Sequence, residues 1–165
     1  MSDLEVQKKE NSELLQLVTF IVGNEEFAVD IILVHEIIRM IQITKVPNSP
    51  DFVDGVINLR GRIIPVINLR YKIGLEKKPT DKNTRIIVVE VNNNTIGFIV
   101  DSVREVLRIP ESITEAPPEL TTNINSNFIK SVGKLDDRLI ILIDIQKVIS
   151  TEEQNEISQA NLSKE

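Results

Sequence analysis

The sequence predicts a mostly β protein made of antiparallel barrels or sandwiches, and three observations support this prediction. The apolar residues are dominated by isoleucine and valine, whose side chains are stiff at χ1 and fit a pleated surface. They occur in short runs bounded by turn residues rather than in long stripes with helical spacing. The runs follow one another closely, without a long helix between most of them, which argues against a doubly wound parallel sheet.

Five apolar runs are predicted as strands, each bordered by turn chemistry such as Gly23-Asn24 or Asn92-Asn93-Asn94. Because the runs are almost continuously apolar, they are typical of strands that are buried on both faces or curled around a small barrel. The predicted strands are 17–22, 62–69, 85–91, 95–100 and 138–145.

Helices are expected only as one or two turns, at 68–73 and 144–149, where Asn68 and Asp144 are good N-cap residues. The predicted domain spans 14–150, between an N-terminal tail (1–13) and a polar C-terminal tail (151–165). Both tails are expected to be loosely ordered. Ser150 and Glu153 have the spacing of a capping box, but the tail that follows has no apolar face.

Composition excludes several function classes. The 165 residues (18.7 kDa) contain 19 basic and 25 acidic residues, giving a net charge of −6 and a pI near 5.0, which disfavours phosphate neutralisation in nucleic-acid binding. With no cysteine and one histidine, His35, zinc fingers, iron–sulfur clusters, thiol catalysis and disulfide scaffolds are excluded. No apolar run approaches ~18 residues and no signal peptide is visible, so a soluble cytoplasmic protein is expected.

The two halves of the chain resemble each other. Residues 34–37 match 103–106 at an offset of 69, and 43–47 match 113–117 at an offset of 70. From Phe52 and Phe128 onward the offset is 76, which implies about six extra residues around 119–127. Chance similarity between strands rich in isoleucine and valine is the alternative, but matched phenylalanine, proline and arginine positions argue against it. A duplicated unit of about 70 residues suits a five- or six-stranded barrel, and two packed barrels would leave a groove for a partner segment.

The residues of one hairpin resemble a known family. Asn58-Leu59-Arg60-Gly61, between the apolar segments 55–57 and 63–70, resembles the signature hairpin of CheW-type chemotaxis coupling proteins. Segment 27–37 resembles the family's second strand and following turn, 97–107 the counterpart in the second half, and 137–145 the last strand. The resemblance covers 15–149 in the family's order. It departs at Asn68, where many members carry an acid, although asparagine caps a helix about as well.

The resemblance implies two SH3-like five-stranded β-barrel subdomains related by internal duplication, with a few short helices. It also implies a non-enzymatic adaptor that joins the cytoplasmic tips of methyl-accepting chemoreceptors to the regulatory domain of the histidine kinase CheA. Such a protein is recruited to membrane-associated receptor clusters without entering the membrane. It needs no cofactor or metal, binds no nucleic acid and is expected to be monomeric when free. The fusions of this domain to a kinase or a receiver do not fit in 165 residues.

Ten residues are candidates for partner binding under this resemblance. Arg60 at the turn and Glu36 are predicted to lie close together and to form the polar edge of an apolar receptor groove. The alternatives are a solvated turn arginine and an ordinary exposed glutamate. Asn58 and Gly61 are expected to stabilise the tight turn. The predicted floor of the groove consists of Val34, Val103 and Val106, with plain barrel core as the alternative. Predicted kinase-binding positions at strand ends are Gly55, Gly97 and Gly133.

The sequence leaves two other function classes as alternatives. A small RNA- or ribosome-binding β-barrel is the alternative reading of the fold, but the acidic pI and the 4% aromatic content count against it. An enzyme has less support, because there is no G-x-S-x-G segment and no phosphate-binding glycine loop. His35 has no sequence context that suggests a base or a metal ligand.

Overall fold

A computed structural model describes residues 13–117 and 128–149. Both predicted tails, the extra residues around 119–127 and the capping box of Ser150 and Glu153 lie wholly or mainly outside these ranges. The described chain is mostly β, as predicted. Its strands are β1 (Leu14–Val22), β2 (Glu25–Asp30), β3 (Val34–Arg39), β4 (Val53–Leu59), β5 (Arg62–Asn68), β6 (Arg85–Val91), β7 (Asn94–Val100), β8 (Ser102–Pro110), β9 (Thr114–Glu115), β10 (Ile129–Lys134) and β11 (Leu139–Ile143).

The strands form two sheets that exchange hairpins between the two halves of the chain. A five-stranded sheet has the order β3-β6-β7-β5-β4, and we call it barrel 1. A six-stranded sheet has the order β8-β1-β2-β11-β10-β9, and we call it barrel 2. The β6–β7 hairpin therefore completes barrel 1 and the β1–β2 hairpin completes barrel 2, which makes the two SH3-like subdomains intertwined.

Internal duplication is visible in the strand registers. Val34 pairs with Val89 across β3 and β6, and Val103 pairs with Phe20 across β8 and β1. In both pairs one extra residue forms a bulge directly after the valine, namely His35 in β3 and Arg104 in β8. The parallel pairs β5–β7 and β11–β2 also correspond. The repeat relates positions 17–37 to 86–106 at an offset of 69, and 53–68 to 129–144 at an offset of 76.

Three apolar clusters explain why the strand sequences are so continuously apolar. In β6, Ile87 and Val89 face a central cluster that both sheets share, whereas Ile86 and Val88 face the interior of barrel 1. The third cluster fills barrel 2 around Leu17. Each fully buried aliphatic side chain contributes roughly 1.5–3 kcal/mol, so a strand buried on both faces gains stability from nearly every residue.

Two one-turn helices lie where the N-cap residues predicted them, α1 (Leu69–Lys72) and α2 (Ile145–Val148). Asn68 Oδ1 accepts a hydrogen bond from the backbone N–H of Tyr71 at 3.2 Å, and Asp144 Oδ1 accepts one from the N–H of Gln146 at 3.1 Å. The Asn68 amide also donates to Asp54 Oδ2 at 3.0 Å, which an ionised acid at this position would be unable to do. The departure from the family pattern thus preserves the cap.

Two expectations about the strands were wrong. Residues 34–37 form part of strand β3 rather than a turn, and the turn before it is the short 3₁₀ segment Ile31–Leu33. Every second residue of β3 is exposed, since β3 lies at a sheet edge, and this alternation hid it among polar residues. Gly97 was expected at a strand end but lies in the middle of β7, pairing with Val88 and Val66.

Candidate functional site

The β4–β5 turn places an arginine in an unusual backbone conformation. Leu59 pairs with Arg62, so Arg60 and Gly61 are the two central residues of a tight hairpin turn. Both have positive φ, 53° for Arg60 and 83° for Gly61. Glycine adopts this conformation freely, whereas arginine does so against a steric penalty. Asn58 Oδ1 accepts the N–H of Gly61 at 2.9 Å, which is the local stabilising bond expected of Asn58.

Arg60 and Glu36 form the contact that was predicted between them. Arg60 Nη1 donates to Glu36 Oε1 at 2.8 Å, and Nη2 donates to Oε2 at 2.7 Å, so the pair is bidentate. The Arg60 side chain is 74% exposed and that of Glu36 is 24% exposed. The hydrogen bonds from Arg60 hold the pKa of Glu36 below its usual range, and the same contact raises the pKa of Arg60.

Two exposed aliphatic residues lie close to this ion pair in the chain. Ile37 follows Glu36 on edge strand β3, and Ile63 follows Arg62 on β5 and is 55% exposed. Sequence reasoning missed both residues. A signal for Ile63 was present, because successive residues of a strand point to opposite faces and its neighbour Ile64 faces the interior of barrel 1. We call the set Glu36, Ile37, Asn58, Arg60, Gly61 and Ile63 the Arg60 edge.

The three candidate valines lie on the two edge strands. Val34 on β3 and Val103 on β8 are half-buried against the central cluster, which matches the alternative of plain core. Val106 on β8 is 58% exposed and available to a partner. The structure thus places Val34 on the strand that carries Glu36, but Val103 and Val106 on a strand of barrel 2.

The three candidate glycines are buried, so none offers a surface for direct contact. A Cβ on Gly55 would lie 2.3 Å from the carbonyl oxygen of Thr44, and one on Gly97 would lie 2.8 Å from Ile86 Cγ2. A Cβ on Gly133 would meet only ordinary contacts, the nearest at 3.4 Å. Any effect of these positions on kinase binding is therefore indirect, through the shape of the barrels.

His35 pairs with Glu90 on β6, with 3.0 Å between Nε2 and Oε2. Within residues 13–117 and 128–149, no group of three or more metal-binding side chains is present. No helix in these ranges is long and apolar enough to cross a membrane.

The Arg60 edge offers groups that suit recognition of another molecule. These are the planar guanidinium of Arg60, the carboxylate of Glu36 and the exposed aliphatic side chains of Ile37 and Ile63.

Comparisons with known proteins agree on one family. Residues 16–153 match the family model described as CheW-like domain. The chain is 38% identical to chemotaxis protein CheW of Helicobacter pylori over 143 residues, which cover 87% of this chain and 86% of the relative. It is 39% identical to chemotaxis protein CheW of Thermotoga maritima over 137 residues, covering 81% and 87%.

A solved structure gives the same answer. The crystal structure of the scaffolding protein TtCheW from Thermoanaerobacter tengcongensis superposes with a TM-score of 0.78 at 40% identity, covering 86% of this chain and 96% of that one. Sequence and fold therefore match over nearly the same length. From the repeat, the hairpin and these matches together, the chain belongs to the CheW-like domain family of chemotaxis scaffold proteins.

Proposed function

We propose that this chain is a non-enzymatic adaptor in bacterial chemotaxis signalling. It couples the cytoplasmic tips of methyl-accepting chemoreceptors to the regulatory domain of the histidine kinase CheA. Family membership supports the class of function, and the solved relative is itself described as a scaffolding protein. In this proposal the free protein is a monomer that joins membrane-associated receptor clusters only through its partners.

The Arg60 edge is the observation that carries the receptor half of the proposal. An arginine at positive φ costs conformational energy, and its ion pair lies largely in solvent, where such pairs add little stability. A feature that costs energy and returns little to the fold is typical of a binding site. The bidentate fork of Arg60 suits a carboxylate, while Ile37 and Ile63 provide apolar contact.

The kinase half of the proposal rests on the family and on the shape of the barrels. Two partners held on one body have a raised effective concentration at each other, even when each binds only moderately. If the receptor changes kinase activity through this body, the coupling is on the order of 1–3 kcal/mol. In this proposal the kinase domain docks at a barrel end, where Gly55, near the start of β4, and Gly133, near the end of β10, set the strand geometry.

Calorimetric titration with two fragments tests the proposal, one from a receptor tip and one comprising the regulatory domain of the kinase. Both fragments are expected to bind the wild type. Arg60→Ala and Glu36→Ala are each expected to weaken receptor-fragment binding at least tenfold, with kinase-fragment binding and the circular dichroism spectrum unchanged. Arg62→Ala is the matched control, because Arg62 is exposed nearby but donates to Thr95 Oγ1 at 3.1 Å. Unchanged receptor binding in folded Arg60→Ala and Glu36→Ala proteins contradicts the assignment.

The RNA-binding alternative makes a different prediction for the same protein. An RNA binder shows affinity that falls steeply as salt is raised, because bound counterions are released from the phosphates. Titration of single-stranded and duplex RNA between low and physiological salt is expected to give no such binding. A steep salt dependence, together with failure of both protein fragments to bind, favours the alternative.

A further inference from the structure

The chain passes between the two barrels at two places, and each crossing begins with an aspartate. Asp101 is the single residue between β7 of barrel 1 and β8 of barrel 2. Asp30 ends β2 of barrel 2 and is followed by the 3₁₀ segment Ile31–Leu33 and then by β3 of barrel 1. Because both crossings start from the same kind of side chain, their contacts can be compared directly.

Asp101 contacts both barrels at its crossing. Its Oδ2 accepts the backbone N–H of Gly23, in the β1–β2 turn of barrel 2, at 2.8 Å, and Arg70 Nη1, in α1 of barrel 1, at 2.6 Å. Lys78 Nζ, in the segment between α1 and β6, lies 3.6 Å from the same oxygen. The backbone N–H of Asp101 donates to the carbonyl oxygen of Ile21 on β1 at 2.9 Å. One residue therefore joins the segments around α1 to the β1–β2 hairpin.

The Asp30 crossing is held in another way. The exposed carboxylate of Asp30 accepts the N–H of Ile32 at 3.0 Å, which is a local cap, and Ile31 and Leu33 pack against the central cluster. Apolar packing holds the barrels together without a preferred direction, whereas hydrogen bonds have one. Of these two aspartates, both in the described part of the chain, Asp101 is the one whose side chain makes directional contacts with both barrels.

We propose that Asp101 is a positioning residue that fixes β8 relative to barrel 1 and thereby couples the two partners. The side chain of Asp101 is 11% exposed and that of Arg70 is 19% exposed. A buried ion pair adds little net stability compared with apolar side chains, and its best-supported use is to select one arrangement. The Arg60 edge belongs to barrel 1 and Val106 to β8, so the position of β8 decides what a partner on both barrels meets. This inference rests on the proposed adaptor function.

The coupling is the ratio of the dissociation constants of the kinase regulatory domain without and with a saturating receptor-tip fragment. The wild-type ratio is expected to differ from one by at least about fivefold. Asp101→Asn still accepts the Gly23 N–H but has no charge for Arg70, so its ratio is expected to lie within about twofold of one. Each fragment alone is expected to bind this variant as it binds the wild type. Asp30→Asn is the matched control, because asparagine caps as well as aspartate, and is expected to keep the wild-type ratio.

Two substitutions of Arg70 separate positioning from a general loss of stability. Arg70→Lys keeps a cation opposite Asp101 and is expected to retain the coupling, whereas Arg70→Met removes the cation and is expected to lose it. These variants also carry the test if Asp101→Asn does not fold. If folded Arg70→Met keeps the wild-type ratio, or if the wild type binds both fragments with a ratio of one, the inference is wrong and the adaptor function stands.

Residual dipolar couplings of the free protein test the positioning without any partner. The amides of β8 are expected to keep one orientation relative to those of β3 in the wild type and in Asp30→Asn, and to change it in Asp101→Asn. An unchanged orientation in Asp101→Asn contradicts the inference. If the orientation changes but the wild type binds neither fragment, the positioning role of Asp101 stands and the proposed adaptor function fails.

Discussion

The two barrels have the same strand registers but pair their charged residues differently. In barrel 1, Glu36 on the edge strand is held by the turn residue Arg60. In barrel 2 its counterpart Glu105 is held by Arg138, which also lies 3.0 Å from Glu26. The counterpart of Arg138 in barrel 1 is Arg62, and that of Glu26 is Thr95, which accepts a hydrogen bond from Arg62.

One exchange, a carboxylate for a hydroxyl, accounts for this difference. The Glu26 side chain is only 5% exposed, and a buried carboxylate needs a cation, so Arg138 is kept inside barrel 2. The neutral side chain of Thr95 needs no cation. Glu36 therefore pairs with Arg60 at the turn, whose side chain is mostly in solvent. Duplication has thus produced one structural ion cluster and one exchangeable pair on the same backbone. In the proposed function, the exchangeable pair is the one that meets a partner.

The largest expected effect concerns a bulge that both barrels share. Gly55 in β4 and Ser131 in β10 occupy the same register, each directly after a register shift. Gly55 has a φ of +146°, and a Cβ there would lie 2.3 Å from the backbone oxygen of Thr44. Gly55→Ser, which copies barrel 2 into barrel 1, is expected to cost about 3 kcal/mol or more of unfolding free energy.

Urea denaturation followed by circular dichroism measures this loss, since the chain has no tryptophan. Gly133→Ala is the matched control, because its Cβ would meet only contacts of 3.4 Å and longer, so a change within about 1 kcal/mol is expected. A Gly55→Ser protein as stable as the control would show that the two bulges are interchangeable.

The second prediction tests whether the ion cluster of barrel 2 is structural. Glu26→Thr, which copies Thr95, leaves Arg138 and Arg104 without their buried partner and is expected to destabilise the protein by about 2 kcal/mol. Glu26 Oε2 already lacks a hydrogen-bond partner, which keeps the expected loss below that of a fully satisfied pair. Thr95→Ala, in barrel 1, is expected to change stability by less than about 0.5 kcal/mol. If Glu26→Thr is more stable than the wild type, the free-energy cost of burying the Glu26 carboxylate exceeds the stabilisation from its ion pairs with Arg138 and Arg104.

The part of the fold that could be predicted from the sequence is the part with a strong local signal. Strand β6 is apolar on both faces because two cores share it, so its residues identify it as a strand. Edge strand β3 alternates exposed and partly buried residues, edge strand β8 has three consecutive exposed residues at its bulge, and β9 has only two residues, so pairing rather than composition defines them. Exchange of the two hairpins depends on pairing between strands about 70 residues apart, such as β3 with β6 and β1 with β8. No local sequence pattern encodes that pairing.

The candidate site was predictable to the same extent. The proximity of Glu36 and Arg60 followed from an exposed charge amid apolar residues and from the family's hairpin. The Glu26–Arg138 contact joins residues that are 112 positions apart and depends on the parallel register of β2 and β11. His35 and Glu90 meet only because β3 pairs with β6. Contacts set by long-range register were therefore the ones that sequence reasoning missed.

The third prediction uses pH and salt to separate the two kinds of ion pair. Because Arg60 lowers the pKa of folded Glu36 below its ordinary value of 4.5, the pair stabilises the protein above that pH and ceases to do so as the pH falls below it. The thermal midpoints of the wild type and Glu36→Gln are expected to differ slightly at pH 7 and to converge in acid or in about 1 M salt. At pH 7, the larger deficit of Glu26→Thr is expected to persist in salt, and convergence of both variants would contradict the comparison.

The smallest expected effect on stability comes from the residue with the largest expected effect on binding. Asparagine tolerates positive φ better than arginine or alanine, so Arg60→Asn relieves the strain at φ 53° while it removes the ion pair. Its thermal midpoint is expected to match or exceed that of Arg60→Ala and to stay close to that of the wild type. Both variants are expected to lose receptor-fragment binding equally, since both lack the guanidinium. If Arg60→Asn binds like the wild type, the turn conformation rather than the charge recognises the partner, and the exchangeable pair of barrel 1 would have no role in docking.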